Sequence, residues 1–250
     1  MPRTDPTTGE SERIRRVYSR YDSDARRRAV WSDNAASHLE RARKWEAAAL
    51  LLRSFPGVQP GSWGVDLGAG IGTDGVRIAG IVPDIGGIVA IDILHEPIAA
   101  SRTVASLLRP LAADATALPL ADASVGLVYQ STMLSSVLRD DLRSAIFAEI
   151  RRVLRPGGIF LSYDTRLPNP WNRHTRPVPL EELRAGFAGW PQASRSITGI
   201  PQILRVLAPI SLALCRLVEA VPLLRSHRLF AAARPGLQGQ DLSRRSRSRK

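Results

Sequence analysis

An acid, a spacer and alternating glycines stand at Asp66-Leu67-Gly68-Ala69-Gly70-Ile71-Gly72 in this 250-residue sequence. The stretch follows an apolar run from Gly64 and precedes a helical pattern carrying Val76, Ile78 and Ala79. Glycine lacks a Cβ, so it permits left-handed backbone and close approach to a ligand. Three glycines between a strand and a helix N-terminus form a nucleotide-sized cradle. Counted from Gly68, the dinucleotide pattern G-x-G-x-x-G would need glycine at position 73, where Thr73 stands. A second acid, Asp92, closes the apolar run Gly87–Asp92. An acid at the end of the second strand can accept both ribose hydroxyls, which supports a nucleoside without choosing one.

The glycine stretch resembles motif I of the class I S-adenosylmethionine (SAM)-dependent methyltransferases. Two further segments resemble the same family. One is Ala113-Asp114-Ala115-Thr116-Ala117-Leu118-Pro119-Leu120-Ala121-Asp122-Ala123-Ser124-Val125, although Gly126 replaces the acid usual before strand four. The other runs from Glu149 through Arg155-Pro156-Gly157-Gly158 to Leu161 and is typical of the small-molecule, "methyltransferase type 11"-like branch. Together the matches cover about residues 64–164. The resemblance implies a Rossmann-like α/β three-layer sandwich whose seven-stranded sheet is parallel except for its last strand. It implies SAM as cofactor and no metal. The implied cofactor-binding residues are Asp66, Gly68, Ala69, Gly70, Gly72, Asp92, Ile93, Asp114, Ala115 and Gln130. Asp66 and the glycines would serve the amino-acid end, Asp92 the ribose, and Asp114 the adenine amino group, a donor that needs an acceptor.

The positioning elements follow from periodicity. Residues 1–10 read as a disordered tail and 11–60 as an N-terminal helical cap. Residues 61–165 read as the core, 166–236 as a substrate loop, lid helix and last strands, and 237–250 as a basic disordered tail. Strands are expected at Ser62–Leu67, Gly87–Asp92, Val125–Gln130 and Ile159–Asp164, with helices at Thr73–Ile81, Pro97–Arg109 and Leu142–Val153. Tyr129 to Met133 should face the crevice where a methyl acceptor approaches. In the cap, Tyr18, Tyr21 and Trp31 either touch the ligand or pack helices onto the sheet; packing is the reading adopted. His174, in a polar loop after strand five, is a candidate general base because its ordinary pKa lies near 6.5. Tyr163 and Asp164, at the end of strand five, are its rivals.

Composition narrows partners. The formal net charge is +12, with arginine supplying nearly every cation and Lys44 and Lys250 the only lysines. This opens an alternative, an RNA methyltransferase, but no N-P-P-Y-like motif follows strand four and no RNA-binding module is recognisable. A non-catalytic scaffold is a third reading. Cys215 is the one cysteine, which excludes an internal disulfide framework and suits a reducing cytoplasm. The apolar 203–224 segment, flanked by Arg205, Arg216 and Arg225, reads as a lid over a lipid-like or glycan-linked acceptor, a peripheral membrane contact, or a helix packed against its own domain or a dimer partner. The expectation is a cytoplasmic SAM-dependent methyltransferase of a small molecule, by O- or N-methylation in secondary metabolism.

Overall fold

The computed structural model describes residues 6–23, 35–101, 104–170 and 172–236. The elements run α1 (Pro6–Ser23), α2 (Ala35–Leu52), β1 (Trp63–Leu67), α3 (Thr73–Ile81), β2 (Gly87–Asp92), α4 (His95–Ala100) and β3 (Leu108–Ala112). They continue β4 (Val125–Ser131), α5 (Asp140–Val153), β5 (Leu154–Thr165), α6 (Leu180–Gly186), β6 (Gln192–Gly199), α7 (Pro201–Leu207), α8 (Leu212–Ala220) and β7 (Arg225–Ala233).

The strands form one sheet in the order β3-β2-β1-β4-β5-β7-β6. All pairings are parallel except those of β7, which runs antiparallel to both β5 and β6. The inner strands are apolar runs because helices cover both faces. On one face α5 contributes Leu142, Ile146, Ile150 and Val153 at helical spacing, packed on Val65, Val128 and Phe160. Phe187, just after α6, stacks on Phe160 at 4.7 Å between ring centroids. On the other face α2 and α3 pack Ala48, Leu51 and Ile78 against Ile88, Leu127 and Tyr129. Chain order reverses between β1 and β4, and open α/β sheets bind ligands outside the carboxyl ends of such strands.

Three expectations change. The 97–109 helix stops at Ala100, where buried Ser101 turns its hydroxyl onto the Ile98 carbonyl at 2.8 Å; a short hydroxyl side chain competes with helical bonding in this way. Leu108–Ala112 instead forms the sheet's edge, with Pro110 level with Ala90 of β2. An edge strand tolerates the missing N–H of proline. Pairing of β5 begins at Leu154, opposite Val125, then resumes at Ile159 opposite Leu127. The Pro-Gly-Gly sequence is therefore a bulge within the ladder, with Gly157 at φ 78°. The first helix starts at Pro6, not after residue 10, and Glu10 is buried. The apolar 203–224 segment, readable from its prolines as one long helix or a helix pair, is the pair α7 and α8, with Ser211 capping α8 through Ala213 N at 3.2 Å. These helices pack Leu204, Ala208 and Cys215 on Ala36 and Leu39 of α2.

Residues 1–5, Trp31 and the basic tail 237–250 lie outside the described residues, as does the side chain of Tyr21. Among the described residues no helix is long and apolar enough to cross a membrane.

Candidate active site

β1 ends in Leu67, and the chain turns at once through Gly68 at φ 75° and Gly70 at φ 52°. A Cβ on Gly68 would lie 2.5 Å from Met133 Cγ, whereas one on Gly70 would meet nothing within 4 Å. The first glycine permits contact with the turn after β4, and the second leaves space open. The amides of Gly68 and Ala69 both donate to the Ile91 carbonyl, at 2.8 and 2.9 Å, bracing the loop on β2. Asp92 then accepts from Gly70 N at 2.8 Å through one oxygen and from Leu94 N at 2.9 Å through the other. Burial raises its pKa, against the lowering pull of these backbone donors.

These groups line a cavity of about 330 Å³ at the carboxyl ends of β1, β2 and β4. Gly68, Gly70, Asp92, Ile93, Asp114 and Ala115 all reach it. Asp114 accepts from Thr116 N at 2.9 Å and Thr116 Oγ1 at 2.7 Å, and its other oxygen accepts from Ser11 Oγ at 3.0 Å. Ser131, Thr132 and Met133 line the cavity, as the crevice reading of Tyr129–Met133 anticipates. Tyr129 itself is fully buried.

The roof is α1. Ser11, Ile14 and Tyr18 face the cavity at helical spacing, so Tyr18 does more than pack. The helix is latched to the turn after β4: Arg13 donates to the Ser136 carbonyl at 2.5 Å, Tyr18 OH lies 2.5 Å from Ser136 Oγ, and Leu138 N donates to Glu10 at 2.9 Å. The segment 203–224, expected as a lid, contributes nothing to this lining. Its inner apolar residues, Leu204, Leu207, Ala208, Cys215 and Val218, pack against α2 instead.

The other expected site residues lie behind the cavity or away from it. Ala69 and Gly72 shape the loop without lining it. Gln130 is fully buried; its carbonyl accepts from Met133 N at 3.0 Å and its amide donates to Ser162 Oγ at 2.5 Å and Asp164 at 3.3 Å. Asp164, also buried, accepts from Ser135 N at 3.1 Å. Both residues hold the turn that presents Met133. Tyr163 is buried between Glu40 (3.1 Å) and Thr198 (3.0 Å), with its ring stacked on His227. Burial drives the phenol's pKa well above its ordinary value, and drives His227 down to about 4. His174 is exposed on its loop, where its backbone N bonds Asn172 Oδ1 at 3.1 Å. A general base has to reach the proton it takes, and none of these three lines the cavity. The ionisable residues that do, Glu10, Tyr18, Asp92 and Asp114, are each already hydrogen-bonded.

Asp66 faces the opposite side of β1. Its Oδ2 is buried and has no hydrogen-bond partner among the described residues. Beside it lies a cluster unmarked by any sequence motif. Lys44 of α2 pairs with Asp74 at 2.5 Å and donates to Ser131 Oγ at 3.1 Å, and Tyr129 OH donates to Asp74 at 3.0 Å. The Lys44 ammonium lies 4.7 Å from the Trp45 ring centroid and 4.9 Å from that of Tyr163. Burial first, and the Asp74 charge second, raise Asp66 from 3.8 to about 8. The folded protein thus keeps this proton over a range in which the unfolded chain has lost it. Asp66 therefore makes stability fall as pH rises from about 4 to about 8. We expect Asp66→Asn to flatten this decline in Tm, read by thermal melts across that window. A wild type no steeper than the variant would show Asp66 to be ionised.

Residues 65–162 match the family model described as "Methyltransferase domain". No curated protein matches the sequence. Solved structures share the fold. A Haloferax volcanii complex between the Trm112 methyltransferase activator and a methyltransferase matches at 24% identity and TM-score 0.58, covering 78% of this chain and 91% of that one. Geranyl diphosphate methyltransferase in complex with SAM matches at 18% identity and TM-score 0.55, covering 76% and 85%. The [4+2]-cyclase SpnF matches at 19% identity and TM-score 0.52, covering 77% and 80%. Residues 65–162 are thus similar to a methyltransferase domain, a family whose cofactor is SAM, and the chain shares the fold of the class I methyltransferases.

Proposed function

We propose that this protein transfers a methyl group from SAM to an oxygen or nitrogen of a small-molecule acceptor. The observation that carries the reading is the roofed cavity: glycine backbone, Asp92 and Asp114 meet in one space beneath a latched α1. The residues suit SAM. Asp92 would take the ribose hydroxyls, Asp114 the adenine amino group, and the Gly68–Gly70 backbone would lie at the amino-acid end. Ile93 and Ala115 would flank the base. SAM supplies an electrophilic methyl on its sulfonium. The protein's share is placement, which for two reactants held in line is worth ~7–11 kcal/mol in favourable cases. No side chain lining the cavity is an uncommitted base, which favours an acceptor that is nucleophilic by itself.

A small acceptor is favoured because α1 covers the cavity and ties to Ser136 and Leu138, excluding a broad macromolecular surface from the site. A cytoplasmic place of action accords with a single, unpaired cysteine. Calorimetric titration with SAM, S-adenosylhomocysteine and NAD tests the cofactor, with binding of the first two and none of the third as the expected result. Methyl-labelled SAM with a small-molecule extract or with RNA then tests the acceptor. Label in the small-molecule fraction is expected; label in RNA alone would overturn this choice.

A further inference from the structure

We propose that the outer face of α7, α8 and the turn Pro222–Leu224 docks on an anionic lipid bilayer. Seven of the eleven large apolar side chains exposed among the described residues fall between Val206 and Leu223. Ile210 is 70% exposed and Leu223 78%, values far above those of an inward-facing helix side. Large exposed patches of this kind mark contact surfaces.

Charge decides the partner. Within 201–225 there are three arginines, Arg205, Arg216 and Arg225, and one acid, Glu219. Glu219 is largely buried and faces Arg43 at 3.9 Å. Arg205 and Arg216 are exposed beside the apolar residues. A second copy would set these arginines against like charge, whereas anionic headgroups complement them. Basic residues near such a surface add to its attraction for the protein. The nine-residue α8 is about 14 Å long, too short to span a ~30 Å hydrocarbon core but suited to lying in its interface.

Orientation follows from topology. β6 is antiparallel to β7, which is antiparallel to β5, so β6 points the same way as β1. α7 leaves the carboxyl end of β6, and the patch therefore opens on the sheet edge that carries the cavity. Docking turns that edge to the lipid.

Flotation of the full chain with phosphatidylglycerol vesicles, with phosphatidylcholine vesicles as comparison, tests the proposal. Binding to the anionic vesicles, weakened by salt, is expected. The double variant Leu217→Glu with Leu223→Glu should bind at least about tenfold less, since it removes two apolar side chains from the contact and adds two negative charges. Arg205→Glu with Arg216→Glu should also lose binding. Val104→Glu, at an exposed apolar residue outside this face, should retain it, and thermal melts would confirm that all variants fold. Absence of flotation, or equal flotation of wild type and the leucine variant, would overturn the proposal. So would a dimer in sedimentation equilibrium that the leucine variant dissolves while vesicle binding is absent.

Discussion

Replacing Asp92 with alanine is expected to weaken SAM binding by more than about tenfold while the protein stays folded. The carboxylate is placed to act twice. One oxygen holds Gly70 N and the other Leu94 N, so it fixes both the glycine loop and the start of the next segment. It also lines the cavity where ribose hydroxyls would need an acceptor. A hydrogen bond to a charged group contributes about 1.5–3 kcal/mol, and about 1.4 kcal/mol already makes a factor of ten in affinity. Asp92→Asn keeps one oxygen acceptor and should lose less. Calorimetry with circular dichroism separates binding from folding. Near-normal affinity in the alanine variant would remove Asp92 from the site.

The largest effect on stability is expected at Arg143. Its side chain is fully buried, the largest to be so among the described residues. It donates to the carbonyls of Val137 at 2.8 Å, Arg176 at 2.9 Å and Pro177 at 3.3 Å, and pairs with Glu182 at 3.0 Å. One guanidinium thus fastens the turn after β4, the loop that follows β5, and α6. Burial lowers its pKa and Glu182 pulls the other way. Methionine would fill similar space but leave three carbonyls and a carboxylate without their donor. Removing one partner of a buried pair costs about 3–5 kcal/mol, a large part of a typical total of about 5–15 kcal/mol. Lysine should rescue only partly, because a point charge cannot replace a planar fork. Urea unfolding midpoints provide the measurement. A loss under about 1 kcal/mol would mean that the pair behaves like a solvated one.

Legibility in the sequence followed a physical rule. α3 and β2 begin and end where the pattern places them, because a sheet covered on both faces writes its strands as unbroken apolar runs. β3 was hidden since its proline and arginine suit only an edge, and edge position is a property of the whole sheet. In the site, Gly68, Gly70, Asp92, Ile93, Asp114 and Ala115 converge as their motif implies. Asp66 belongs to the same motif, yet side chains alternate across a strand. While Val65 and Leu67 join the core under α5, Asp66 turns towards Gly75 and α3. Gln130 and His174 show the same limit: residue type and loop position do not report where a side chain points. The roof formed by α1 and the Lys44 cluster depend on contacts between distant segments, which no local spacing records.

The insertion of β7 between β5 and β6 has a consequence for the chain as it leaves the ribosome. β6 is made before β7 but pairs with no other strand. Until Arg225–Ala233 emerges, β5 has an open edge and β6 has no ladder to join. The first five strands can assemble as synthesis proceeds, whereas the last two must enter together as a hairpin. Open strand edges template association with other chains, so this interval is when a nascent copy most needs shielding. The final strand works as a closing stitch, and a message cut short before it would yield a sheet with one raw margin.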